Sequence, residues 1–108
     1  MKDQYALLLV DDELANLQKL QRTFIGQYAI FLAQSGEEAL RVLERHVIDA
    51  IITDQRMPSM QGIELLEASQ KINPNLVRIV LTGFTEVDDL IAAINTGKVH
   101  KYVTKPWE

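Results

Sequence analysis

Four short apolar runs and a fifth, more polar one recur along the chain, and a segment of helical periodicity fills each gap between them. The runs are Tyr5-Ala-Leu-Leu-Leu-Val10, Ala29-Ile-Phe-Leu-Ala33, Asp49-Ala-Ile-Ile-Thr53, Val77-Arg-Ile-Val-Leu81 and His100-Lys-Tyr-Val-Thr104. The first, a continuous apolar run, suits a strand covered on both faces, and the others read as further strands. Between the runs, Leu14, Leu17, Leu20 and Phe24 recur at spacings of three and four, and further helical segments carry Ala39, Leu40 and Leu43, then Ile63, Leu65, Leu66 and Ile72, then Val87, Leu90, Ile91 and Ile94. Strands that alternate with helices through short connections pair in parallel, with the helices packed on both faces. The pattern therefore predicts an α/β fold with a doubly wound, five-stranded parallel sheet.

The punctuation agrees with this reading. Gly26 is placed to end the first helix. Ser35 and Glu38 have the spacing of a capping box at the start of the second. Asn73-Pro74-Asn75 is a turn, Thr85 can cap a fourth helix, and Gly97 closes it. The expected strand order is flavodoxin-like, 2-1-3-4-5, although periodicity alone does not select it over another doubly wound order.

Composition narrows the function. At 108 residues, 1–108 is read as a single domain. With no cysteine, disulfide scaffolds, thiolate metal sites and cysteine nucleophiles are excluded. Two isolated histidines, His46 and His100, do not make a histidine-rich metal site. A net charge of −4 argues against direct nucleic-acid binding, and no apolar run is long enough for a membrane span. The expected compartment is the cytoplasm.

In open parallel sheets, ligands bind at the carboxyl ends of the strands. The first strand ends in Asp11-Asp12-Glu13, the third in Asp54, the fourth in Thr82-Gly83 and the fifth in Lys105-Pro106. The fold would gather three carboxylates, a hydroxyl and an ammonium on one edge. Crowded carboxylates repel, and a hard divalent cation with oxygen ligands relieves that repulsion. Mg²⁺ is favoured because it accepts few carboxylates and leaves positions for phosphate oxygens. Lys105 can balance a phosphoryl group as a point charge, and Thr82 can donate a hydrogen bond to it. A carboxylate in that setting can act as a nucleophile and become an aspartyl phosphate.

The motifs Leu9-Val-Asp-Asp-Glu13, Thr53-Asp-Gln-Arg-Met-Pro58, Leu81-Thr-Gly83 and Tyr102-Val-Thr-Lys-Pro106, in this order, resemble those of the receiver domain of two-component response regulators. The resemblance implies roles by position. Asp54 would be the phosphoacceptor. Asp12, Asp54 and the backbone carbonyl of Arg56 would bind Mg²⁺, with Asp11 holding a metal-bound water. Lys105 would pair with the phosphoryl group, Thr82 would move to hydrogen-bond it, and Tyr102 would change rotamer in response. The implied partners are a sensor histidine kinase or phosphotransfer protein and an output domain outside this chain. The module would not be an enzyme in the usual sense, but a switch that hydrolyses its own phosphoryl group slowly. Gln55 departs from the resemblance, because many relatives carry an aliphatic residue there; Arg56 and Phe84 stand at variable positions beside the site.

The competing reading is a Mg²⁺-dependent phosphohydrolase. That class wants a second aspartate two residues after its nucleophile, and Arg56 stands there. Receivers usually carry a fifth helix after the Lys-Pro pair, so the chain is expected to be excised from a longer regulator. An uncovered apolar patch is expected near Leu7, Leu9, Tyr102 and Trp107, with a homodimer as one means of covering it.

Overall fold

The computed structural model describes residues 4–82 and 100–104. Five strands, β1 (Ala6–Val10), β2 (Ala29–Ala33), β3 (Ala50–Asp54), β4 (Val77–Thr82) and β5 (Lys101–Thr104), form one parallel sheet in the order β2-β1-β3-β4-β5. Three helices are described, α1 (Leu14–Phe24), α2 (Gly36–Arg45) and α3 (Gly62–Ile72). The expected doubly wound order is the one that forms. The helix expected to begin at Thr85 lies outside the described residues, together with Gly83, Phe84, Lys105, Pro106 and Trp107. No helix among the described residues is long and apolar enough to cross a membrane.

The central strands are apolar because both of their faces are covered. All five residues of β1 are buried. Leu8 and Val10 point into a cluster with Ala39, Leu43, Ile51, Leu65 and Leu66, beneath α2 and α3. Leu7 and Leu9 point the other way, into a cluster with Leu17, Leu20, Ile52 and Leu81, beneath α1. This is the period-2 alternation of a strand, with both faces apolar. On the α1 face an apolar cavity of about 330 Å³ opens, lined by Leu7, Leu20, Phe24, Ile52, Ile79 and Val103, among others. Among the described residues of the patch expected from the sequence, Leu7 lines it. Leu9 is fully buried, and the side chains of Tyr102 and Trp107 lie outside the described residues.

Helix ends follow the chemistry of the sequence. Gly26 takes a φ of +89°, the left-handed conformation that closes α1 at little steric cost to glycine. The Ser35 hydroxyl accepts from the Glu38 N–H at 3.1 Å and so caps α2. Glu38 does not complete a box with Ser35; its carboxylate accepts from the Gln34 N–H instead. At α3 the cap is Gln61, whose N–H donates to the Glu64 carboxylate at 3.1 Å.

Polar side chains tie down the opposite, amino-terminal edge of the sheet. Asp49 accepts from the Ala6 N–H at 2.7 Å, while its own N–H donates to the Ala6 carbonyl. This pairing starts β1 at Ala6 and leaves Tyr5 exposed outside the strand. Arg78 is buried in β4, and its guanidinium donates to the Leu76 carbonyl. The Arg78 N–H donates to Nδ1 of His100 at 2.8 Å, so this bond needs His100 unprotonated. Burial and the Arg78 charge both hold the His100 pKa below its ordinary value. The unfolded chain therefore binds a proton more readily than the folded one, and the His100 contribution to stability is present above about pH 6.5 and lost as pH falls through the lowered folded value. Thermal melts of wild type and His100→Asn between about pH 7.5 and 5.5 test this. Asn keeps an acceptor for Arg78, so the wild type should lose stability relative to the variant on acidification; parallel pH profiles would refute it.

Candidate functional site

Parallel pairing brings the carboxyl ends of all five strands to one edge. Asp11 and Asp12 directly follow β1, Asp54 is the last residue of β3, and Thr82 is the last residue of β4. The register places Asp54 opposite Leu81, so Thr82 lies one residue further along the adjacent strand. Thr104, the last residue of β5, pairs with Thr82. Tyr102 pairs with Val80 inside β5, and its side chain is not among those described. Lys105 follows Thr104 in the chain and lies outside the described residues.

The carboxylates converge as the sequence predicts. One oxygen each from Asp11, Asp12 and Asp54 lies within 4.8 Å of the other two. Asp11 and Asp54 are buried, whereas Asp12 is exposed at the rim. Asp11 is fixed on two sides. Its N–H donates to the Ala33 carbonyl at 3.2 Å, and its Oδ1 accepts from the Glu13 N–H at 2.9 Å. The Thr53 hydroxyl donates to the Asp54 carbonyl at 3.0 Å. Three carboxylates this close suit a hard divalent cation, which bonds to oxygen and offsets their mutual repulsion. The donor set therefore fits Mg²⁺. Thr82, 1% exposed, brings a hydroxyl to the same edge.

The loop from β3 to α3 forms the rim of the site. Arg56 is exposed at its start and lines an open recess with Met57, Pro58 and Gln61. Ser59 takes a φ of +68°, a conformation uncommon outside glycine, and the Met60 N–H donates to the Pro58 carbonyl at 2.7 Å. The neck of this loop is held by Gln55, which is 7% exposed. The Gln55 N–H donates to the Leu81 carbonyl at 3.0 Å, and its carbonyl accepts from the Gly62 N–H at 2.9 Å. Its side-chain Oε1 accepts from the Ile63 N–H at 2.9 Å, and Nε2 donates to Oε1 of Gln61 at 3.4 Å. The sequence marked Gln55 only as a departure from pattern. Its bond across eight positions to Ile63 has no periodic signal that could have revealed it.

Residues 7–108 match the family model described as the response regulator receiver domain. The chain is 37% identical over 108 residues to the hydrogenase transcriptional regulatory protein HoxA of Cupriavidus necator, covering 99% of this chain and 22% of that protein. It is 42% identical over 102 residues to the transcriptional regulatory protein GlrR of Escherichia coli, covering 93% of this chain and 22% of that one. The chain thus spans about a fifth of the length of these relatives. Among solved structures, a response regulator receiver domain protein from Clostridium thermocellum superposes with a TM-score of 0.88 at 33% identity, covering 96% of this chain and 84% of that one. An adenylate cyclase from Rhodopirellula baltica superposes with a TM-score of 0.94 at 32% identity, covering 97% and 78%. With its sheet order, its acidic edge and this match over nearly its whole length, the chain belongs to the response regulator receiver domain family.

Proposed function

We propose that the chain is the receiver module of a longer regulator, switched by transfer of a phosphoryl group to Asp54. The observation that supports this reading is the position of the Asp54 carboxylate, buried at the end of a central strand and within 4.8 Å of two other carboxylates. An Asp54 oxygen attacks the phosphorus of the donor, forming an O–P bond as the bond to the leaving group breaks. That leaving group is a histidine ring of a kinase or phosphotransfer protein, or the carboxylate of a small acyl phosphate. Asp12, Asp54 and the Arg56 carbonyl would hold Mg²⁺, with Asp11 orienting a water. When bound, the cation neutralises the charge that develops on the transferred oxygens. Thr82 donates to one phosphoryl oxygen and Lys105 pairs with another. By the family resemblance, Thr82 would move towards the phosphoryl group and Tyr102 would change rotamer in response, a bistable element that links the site to β5. Water slowly returns Asp54 to the free carboxylate. The two curated relatives are transcriptional regulators by name, which makes transcriptional control the first candidate for the output.

Incubation with Mg²⁺ and an acyl phosphate tests the reading. The expected product carries one phosphoryl group per chain, and a chelator prevents its formation. Rapid turnover of a simple phosphate ester without stoichiometric labelling would favour the phosphohydrolase instead.

The two neighbouring aspartates should differ in weight. Oδ1 of Asp11 already accepts from Glu13, whereas Asp12 stands at the open rim. A direct ligand contributes more affinity than one acting through water. Calorimetric Mg²⁺ titration of Asp12→Asn should therefore show a loss on the order of tenfold, larger than that of Asp11→Asn. The reverse ranking would exchange their roles.

A further inference from the structure

We propose that Gln55 is a positioning residue that sets the cation affinity of the site by clamping the β3–α3 loop through its side-chain amide. The proposal rests on the assignment of Asp54 and the Arg56 carbonyl as cation ligands. Gln55 is bonded covalently to both of those residues, and its side chain points the opposite way, into the start of α3. There Oε1 accepts from the Ile63 N–H and Nε2 donates to Gln61. The first N–H groups of a helix lack partners within the helix. Gln55 serves two of them, Gly62 through its backbone carbonyl and Ile63 through its side chain. One residue thereby joins the end of β3 to the start of α3 and closes the neck of a loop whose other members include exposed Arg56 and positive-φ Ser59.

An aliphatic side chain at position 55 could fill the same volume but could not accept from Ile63. The loop would then be held at its neck by backbone bonds alone. Arg56 would sample more positions, and the cation would have to order it on binding. Groups that orient a ligand from behind change metal affinity by factors of ten or more. Gln55 is thus the residue through which this chain tunes its site without touching the cation.

The experiment compares wild type with Gln55→Met, Gln55→Glu and a control, Leu43→Val. Met keeps the length and removes the acceptor. Glu keeps an acceptor for the Ile63 N–H at a helix start, where a carboxylate is welcome. Leu43→Val opens a small gap in the core, makes none of the bonds at the neck of the loop, and serves as a control for lost stability. Each protein is titrated with Mg²⁺ at physiological ionic strength, and amide hydrogen exchange is followed without metal. Gln55→Met should weaken Mg²⁺ binding on the order of tenfold and speed exchange at Ile63, with Leu8 in β1 little changed. Gln55→Glu should bind Mg²⁺ at least about as well as wild type, and Leu43→Val should leave the affinity unchanged. Wild-type affinity in Gln55→Met, an equal loss in Gln55→Glu, or an equal loss in Leu43→Val would each overturn the inference. Failure of the wild type to bind Mg²⁺ or accept a phosphoryl group would instead overturn the phosphoacceptor reading on which it rests.

Discussion

Asp54→Asn is expected to abolish phosphoryl labelling while raising the melting temperature of the metal-free protein. The two effects share one cause. Asp54 is a buried carboxylate whose oxygen lies within 4.8 Å of carboxylate oxygens of Asp11 and Asp12. Like charges at that distance disfavour one another even when the effective dielectric is high. An amide of the same shape removes one of the three charges and should stabilise the apo fold by roughly 1 kcal/mol. It also removes the nucleophile, because a neutral amide oxygen does not form a stable acyl phosphate under these conditions. Added Mg²⁺ should raise the wild-type melting temperature and leave that of Asp54→Asn almost unmoved, since ligand binding stabilises only the form that binds. Mass spectrometry after acyl-phosphate treatment and melts with and without Mg²⁺ read both halves. A labelled Asp54→Asn protein would show that another residue accepts the phosphoryl group.

Gly62→Ala carries the second large effect, this time on stability and site together. Gly62 opens α3, and a Cβ there would lie 2.5 Å from the Asp54 carbonyl oxygen and 3.0 Å from both Cα and Oε1 of Gln55. Two opposing terms decide the outcome. Alanine is the better helix former by up to about 1 kcal/mol. Forcing a methyl group against a backbone carbonyl costs about 1–3 kcal/mol or more, and rigid backbone cannot yield as a side chain would. The clash should win, leaving a loss of about 1–2 kcal/mol. Because the carbonyl belongs to Asp54 itself, the phosphoacceptor would shift with it and labelling would slow. Gly36 is an informative contrast. A Cβ there would meet side-chain atoms of Met60 alone, Sδ at 2.6 Å and Cβ at 2.9 Å; the thioether can move aside, and the Cβ contact needs a small shift of Met60 itself. Gly36→Ala should therefore be tolerated better than Gly62→Ala in both melts and labelling rate. Equal stability of the two variants would remove the argument from backbone contact.

The strands were legible because burial on both faces writes itself into composition. The run Ala29–Ala33 coincides with β2; β1, β4 and β5 differ from their runs by a residue at one end, and β3 by a residue at each end. The shift at β1 has a polar cause. β1 begins at Ala6 rather than Tyr5 because Asp49 captures the Ala6 N–H. The acidic edge was legible too, because residues directly after parallel strands must meet once the strands pair. Side-chain bonds between distant positions left no comparable trace. Nothing local marks Gln55 as the clasp of α3, or Arg78 as a buried arginine in an apolar strand. Amphipathic spacing also overstated burial at the helix ends: Leu14 and Ile72 fall on the expected stripes yet lie exposed at the first and last positions of α1 and α3.

The strand order also dictates how the sheet can grow as the chain leaves the ribosome. Taken in chain order, β2 pairs with β1, β3 takes the free side of β1, β4 adds to β3 and β5 to β4. Every newcomer docks on an open edge, so no pair already formed has to separate to admit a later strand. Domains generally fold as units, and a topology of this kind allows docking in chain order without reversal. The acidic edge matures on the same schedule. Asp11 and Asp12 are synthesised with the first strand, Asp54 joins them with the third, and the hydroxyl of Thr82 arrives with the fourth. A half-made chain therefore presents acids without their full complement of partners, and the site becomes whole only as the sheet approaches its full width.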